Sequence, residues 1–205
     1  MVQEVLKEAS FDEVFDSQRN FRTLMDGMSR PGKIFKLYKH NFLKSPEGLN
    51  PNVLTVLKTL GDNNITFSHN NETVERYIEI NTGMLPDEID KADYVLFDGK
   101  EFNQSICSVN TGSLEFPENS ATVIITVESI LSGLYKNTFM NKTELHMTGP
   151  GVKDRNIVTV EGLDKKYLKS ISEINSVFPL GIDVIFVDTE GNITCMPRTT
   201  KAEVE

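Results

Sequence analysis

The stretch from Phe178 to Thr200 constrains the fold more than any other part of the 205-residue chain. Ile182-Asp183-Val184-Ile185-Phe186-Val187 is almost uninterrupted apolar sequence, rich in β-branched side chains. Such a run suits a strand buried on both faces. Asp188-Thr189-Glu190-Gly191-Asn192 supplies turn residues, with Gly191 able to take positive φ. Ile193-Thr194-Cys195-Met196 is a second short strand, stopped by Pro197, which has no N–H for a ladder. The segment reads as a central hairpin, entered through Pro179 and Gly181 and left through Arg198, Thr199 and Thr200. The preceding chain must supply the layers that cover it.

Those layers alternate. A first helix is expected from Ser10 to Met28 or Ser29, with Ser10 and Glu13 at capping-box spacing. Phe11, Val14, Phe15, Phe21, Leu24, Met25 and Met28 make its apolar stripe. On that reading Phe21→Ala costs roughly 3–5 kcal/mol. Pro31 and Gly32 end the helix, and Lys33 to Leu37 is a short strand whose Lys33, Lys36 and Lys39, beside His40, protect an edge or bind an anion. Pro51 opens a second helix to Leu60, Ile65 to His69 alternates as a strand, and Asn71 or Thr73 caps a helix carrying Val74, Tyr77, Ile78 and Ile80. Tyr94–Phe97 and Ala121–Val127 are buried strands, separated by an irregular stretch from Lys100 to Asn119. Thr143–Thr148 and Asn156–Val160 are strands, and Leu163 to Val177 is helical. The expectation is a single α/β domain over residues 1–205, one open mixed β-sheet flanked by helices.

Charge and cysteine usage exclude some functions. Thirty acids face 21 bases, for a net charge of −9, so long-range attraction to nucleic acid or an anionic membrane is not expected. No charged-then-apolar leader opens the sequence and no run approaches the roughly 18 apolar residues of a span, which points to a cytoplasmic protein. Cys107 and Cys195 form no C-x-x-C pair and cannot make a structural zinc site alone; Cys195 reads as a small core residue. His40, His69 and His146 are too scattered for a metal motif, and no metal is expected.

Three constellations offer chemistry. Gly149-Pro150-Gly151 is either a tight turn or a nest of backbone amides for a phosphate or phosphonate. Arg198-Thr199-Thr200 offers a guanidinium and two hydroxyls to phosphate oxygens; alternatively Arg198 caps carbonyls or pairs with a carboxylate. Asp183, inside an apolar strand, needs a partner or a polar cleft. None of these specifies a reaction.

Phe21-Arg22, Met28-Ser29-Arg30-Pro31-Gly32, Thr148-Gly149-Pro150-Gly151-Val152, Phe178-Pro179-Leu180-Gly181-Ile182-Asp183 and Pro197-Arg198-Thr199-Thr200 occur in that order. The ordered set resembles the H subunit of bacterial carbon–phosphorus lyase systems, the PhnH family. The resemblance implies a fold like the type I pyridoxal-phosphate-dependent transferases but without their cofactor, so no cofactor is expected. It also implies a homodimer that joins the G, I and J subunits. That assembly supports attack of an alkylphosphonate on the ribosyl C1′ of ATP with release of adenine, as a ribose 1-methylphosphonate 5-triphosphate synthase. The H subunit is expected to be an essential non-catalytic partner in it. Arg22, Gly149, Gly151, Arg198, Thr199 and Thr200 are the ligand or interface candidates, for ATP, phosphonate or a partner subunit, and no catalytic residue is assigned. Two alternatives stand beside this. One is a small-anion or nucleotide-binding protein; the other is a stand-alone pyridoxal-phosphate transferase using Lys153.

Overall fold

The computed structural model describes residues 11–38, 45–133 and 142–204. Its centre is a seven-stranded sheet built from β1 (Phe35–Lys36), β2 (Thr66–Ser68), β3 (Leu85–Pro86), β4 (Tyr94–Asp98), β5 (Thr122–Thr126), β9 (Asp183–Val187) and β10 (Asn192–Met196). The order is β1-β10-β9-β5-β4-β2-β3. β3, β2, β4, β5 and β9 run parallel, while β10 returns antiparallel to β9 and carries β1 on its outer edge. The hairpin expected at the C-terminal side is thus in the sheet interior. Val184, Phe186 and Ile193 are fully buried, and Gly191 turns the chain at φ 78°.

The expectation of one sheet is incorrect. β6 (Ser129–Ser132), β7 (Lys142–Thr148), β8 (Asn156–Glu161) and β11 (Lys201–Val204) form a second, wholly antiparallel sheet in the order β11-β7-β8-β6. The reason lies in the patterning. β4, β5 and β9 are continuous apolar runs that must be covered on both faces. Thr143 to Thr148 alternates, the signature of a strand with one buried face and therefore of an outer layer. β3, β6 and β11 are too short or too polar to stand out in the sequence.

Helices cover one face of the large sheet, and the second sheet covers the other. α1 (Phe15–Ser29), α2 (Pro51–Leu60) and α3 (Glu72–Thr82) enclose a core containing Leu24, Leu54, Leu57, Ile78, Ile185 and Val187. α4 (Lys165–Ile174) and the second sheet enclose another, with Leu145, Val158, Tyr167, Val184 and Phe186. Pro51 occupies the first turn of α2, and Asn50 caps it by accepting the Asn52 N–H at 2.9 Å. Asn71, rather than Thr73, caps α3, accepting from Thr73 and Val74 at 2.9 and 3.2 Å. The helix expected through Val177 ends at Ile174 and tightens into a 3-10 turn over Asn175–Val177.

α1 departs most from the reading of its sequence. Ser10 lies outside the described residues, and the regular helix starts at Phe15. Asp12 caps the start, accepting the Val14 and Phe15 N–H groups at 2.9 and 2.8 Å. Phe11 and Leu24 are buried, yet Val14, Phe15, Phe21 and Met25 are exposed, Phe21 by 47%. The buried face instead runs through Asp16, Asn20, Leu24 and Gly27. Asn20 explains the rotation: its side-chain amide donates to the Tyr38 carbonyl at 3.1 Å and accepts the Tyr38 N–H at 2.7 Å, so a polar residue belongs inside. Lys33 and Lys36 are exposed on and beside the edge strand β1, in keeping with edge protection; Lys39 and His40 lie outside the described residues.

Candidate functional site

The end of β10 and the start of β9 are neighbours because the hairpin pairs Met196 with Val184. This brings Arg198 onto Asp183. The Arg198 backbone N–H donates to Asp183 Oδ1 at 2.8 Å, Nη2 donates to Oδ2 at 2.8 Å, and Nε to Oδ1 at 3.4 Å. Nη1 donates to the Pro117 carbonyl at 2.6 Å. Both charged side chains are mostly covered, with 16% and 26% of their surfaces exposed. Arg198 therefore fastens the loop at Pro117 to the central ribbon, and Asp183 has its partner. The structural alternative for both residues holds, and the forked face of the guanidinium is turned to a carboxylate rather than to a ligand.

Thr199 and Thr200 follow. Thr200 is buried and its hydroxyl has no hydrogen-bond partner among the described residues, while Thr199 is exposed. Both line a cavity of about 610 Å³ together with Ile171, Phe178, Met196 and Lys201. Gly149 belongs to the same neighbourhood. It sits at φ 130°, and a Cβ there would come within 2.9 Å of the Thr199 carbonyl oxygen. Gly151, at φ 81°, packs so tightly on the Ser29 carbonyl that a Cβ would overlap it. The glycines let the turn pass between the end of α1 and the Arg198–Thr200 exit, and the Val152 N–H is taken by the Gly149 carbonyl at 3.1 Å. The tight-turn reading accounts for this geometry.

The sequence candidates thus divide. Gly149, Arg198, Thr199 and Thr200 come together, and Gly151 stands against α1. Arg22 is exposed on α1, and among the described residues no hydrogen bond or ion pair joins it to that group. Lys153 is exposed on the turn after Gly151. His146 lies in β7 with Arg155 Nη1 3.2 Å from its Nδ1, and the described residues contain no cluster of side chains that could hold a metal ion. Cys195 is fully buried, and burial followed by the nearby Asp183 charge pushes its thiol up to about 12.

A second cavity went unforeseen. It measures about 680 Å³ and opens at the carboxyl ends of β2, β4 and β5, where Ser68, His69, Asp98 and Thr126 reach it. Its wall comes partly from the irregular stretch after Lys100, which had no periodicity to read. Tyr167 organises that wall. Its hydroxyl donates toward the Asp98 and Glu101 carbonyls at 3.1 and 3.0 Å and accepts the Asn103 N–H at 3.1 Å. Its ring meets Phe102 edge-on at 5.2 Å. His69 Nδ1 accepts the Asn71 N–H at 3.1 Å, which assigns the ring proton to Nε2. Burial lowers the pKa of this histidine. The signal that could have found the site was topological, since ligand crevices form at the carboxyl ends of parallel strands.

Residues 9–203 match the model of the family described as bacterial phosphonate metabolism protein (PhnH). The chain is 31% identical over 183 residues to a putative C-P lyase subunit protein, HtxG, of Stutzerimonas stutzeri, covering 89% of this chain and 84% of that one. It is 27% identical over 205 residues to the alpha-D-ribose 1-methylphosphonate 5-triphosphate synthase subunit PhnH of Rhizobium meliloti (strain 1021), covering 98% of each.

Proposed function

The chain belongs to the PhnH family of bacterial phosphonate metabolism proteins, and on that premise we propose that it is a subunit of a carbon–phosphorus lyase complex. In that role it supports transfer of an alkylphosphonate to the ribosyl C1′ of ATP. The observation that carries the reading is the end-to-end match to a synthase subunit, over 98% of both chains. The chemistry of the C-terminal exit agrees with a supporting role. Arg198, the strongest anion candidate in the sequence, is spent on Asp183 and Pro117. Displacing a purine from a ribosyl carbon demands positioning and charge stabilisation, which partner subunits supply here.

The assembly we propose is a homodimer of this chain joined to the G, I and J subunits. The large exposed apolar side chains on α1 and on the loops at Leu114, Phe116, Val177 and Phe178 supply surface for such contacts. The parallel part of the central sheet is read as a relative of the type I pyridoxal-phosphate transferase fold that works without the cofactor. A substrate as polar as ATP sets the work in the cytoplasm; no helix among the described residues is long and apolar enough to cross a membrane. Co-expression with the neighbouring G, I and J subunits is expected to yield one stable complex containing this chain. Recovery of this chain only by itself, with G, I and J assembled without it, would remove the reading.

A further inference from the structure

We infer that the cavity at the carboxyl ends of β2, β4 and β5 binds a planar organic molecule bearing amino or amidino N–H groups, and that it rejects phosphate and phosphonate.

Topology opens the crevice. β2 has β3 on one side and β4 on the other. The chain leaves β2 through α3 to β3, on one face of the sheet, whereas the connection after β4 crosses the opposite face before β5. Connections that part in this way leave a gap above the strand ends, the usual place for a ligand in a parallel sheet. At about 680 Å³ the gap has the size of a small-molecule site.

Its lining sets the chemistry. Glu88, Asp98 and Glu101 bring carboxylates to it, and none of its lining residues among those described is a lysine or arginine. A phosphate or phosphonate would meet a lining of its own sign, and the Lys166 ammonium beside it is engaged over the Phe102 ring, 5.9 Å from its centre. A ligand with N–H donors finds acceptors that form the strong, charge-assisted kind of hydrogen bond. Phe102 is partly exposed and presents ring surface against which a planar molecule can lie, with the fully buried Tyr167 ring packed behind it. The Tyr167 hydroxyl is already committed to Asp98, Glu101 and Asn103 backbone groups, so it braces the wall and leaves recognition to the carboxylates. The site is distinct from the Arg198–Thr200 exit and is independent of whether the protein assembles with other subunits.

Matched aromatic probes of opposite charge test this on the full chain. Calorimetry with benzamidine and 2-aminopyridine is expected to show saturable binding, with benzoate and phenylphosphonate weaker by about tenfold or more. Asp98→Asn is expected to weaken benzamidine by about tenfold, with Glu101→Gln as a second variant should the first melt at lower temperature. Thr199→Ala, in the other cavity, is expected to leave it unchanged. The inference is overturned if neither amino-bearing probe binds. Phenylphosphonate binding as well as benzamidine would also overturn it, as would both carboxylate variants binding benzamidine like the parent.

Discussion

The carboxylate of Asp188 is fully buried and receives four donors. Oδ1 takes the Glu190 and Asn192 N–H groups at 2.9 and 2.8 Å; Oδ2 takes the Asn192 side chain at 2.8 Å and the Ile130 N–H at 3.2 Å. Its carbonyl accepts from Asn50 and Asn52 at the start of α2, at 3.1 and 2.9 Å. One residue thus shapes the hairpin turn, holds β6 and seats α2. Removing it strands buried donors, so Asp188→Ala is expected to cost about 3 kcal/mol or more in urea unfolding; a loss below about 1 kcal/mol would show that water replaces it. In sequence Asp188 is indistinguishable from an ordinary turn residue, because its reach to residues 50–52 and 130 is tertiary. The need of Asp183 for a partner was legible, since a carboxylate in an apolar strand is costly alone; that the partner is Arg198 was not. Cys195 gives a titration test. Burial raises its thiol from 9.0 to about 12, so the folded state holds the proton more tightly than the unfolded chain. That contribution is fully present below pH 9 and is lost as pH climbs from 9 toward 12. At pH 8.5 iodoacetamide is expected to modify the exposed Cys107 and spare Cys195 until the protein is unfolded; labelling of both in the native state would contradict the burial.

Elements with strong local chemistry were readable, and those decided by tertiary contacts were not. α2 and α3 have caps, turn residues and apolar spacing that agree, and their bounds follow. The buried strands β4, β5 and β9 announce themselves by uninterrupted apolar runs. β3, β6 and β11 have only two to four residues each, and their pairing comes from neighbours distant in sequence. α1 shows how periodicity misleads: the apolar stripe and the buried face differ because Asn20 completes the hydrogen bonds of Tyr38 from inside. The consequence is measurable. Leu24, 3% exposed, is expected to cost about 2–5 kcal/mol on change to alanine. Phe21, 47% exposed, is expected to cost less than about 1.5 kcal/mol in the isolated protein, not the 3–5 kcal/mol of a core position. Paired thermal melts decide it, and equal losses would put Phe21 back in the core.

At the scale of the molecule, β9 belongs to both cores at once. Its side chains alternate across the sheet, so Val184 and Phe186 enter the core under the second sheet while Ile185 and Val187 enter the core under the helices. Asp188, at the end of the same strand, ties α2 on one side to β6 on the other. Neither core can open without removing a wall of the other, so the two layers are expected to unfold together. Val184→Ala and Ile185→Ala each remove packed side-chain volume from a different core, at about 1–4 kcal/mol apiece. The discriminating reading is where the loss is felt. Tyr167 lies in one core and Tyr77 in the other, so ring resonances of the two tyrosines can be followed separately through urea. Coincident midpoints, shifted equally by either substitution, are the result that a shared strand requires. If Val184→Ala moved the Tyr167 transition and left Tyr77 in place, the layers would be separate folding units, and β9 would be only an edge between them.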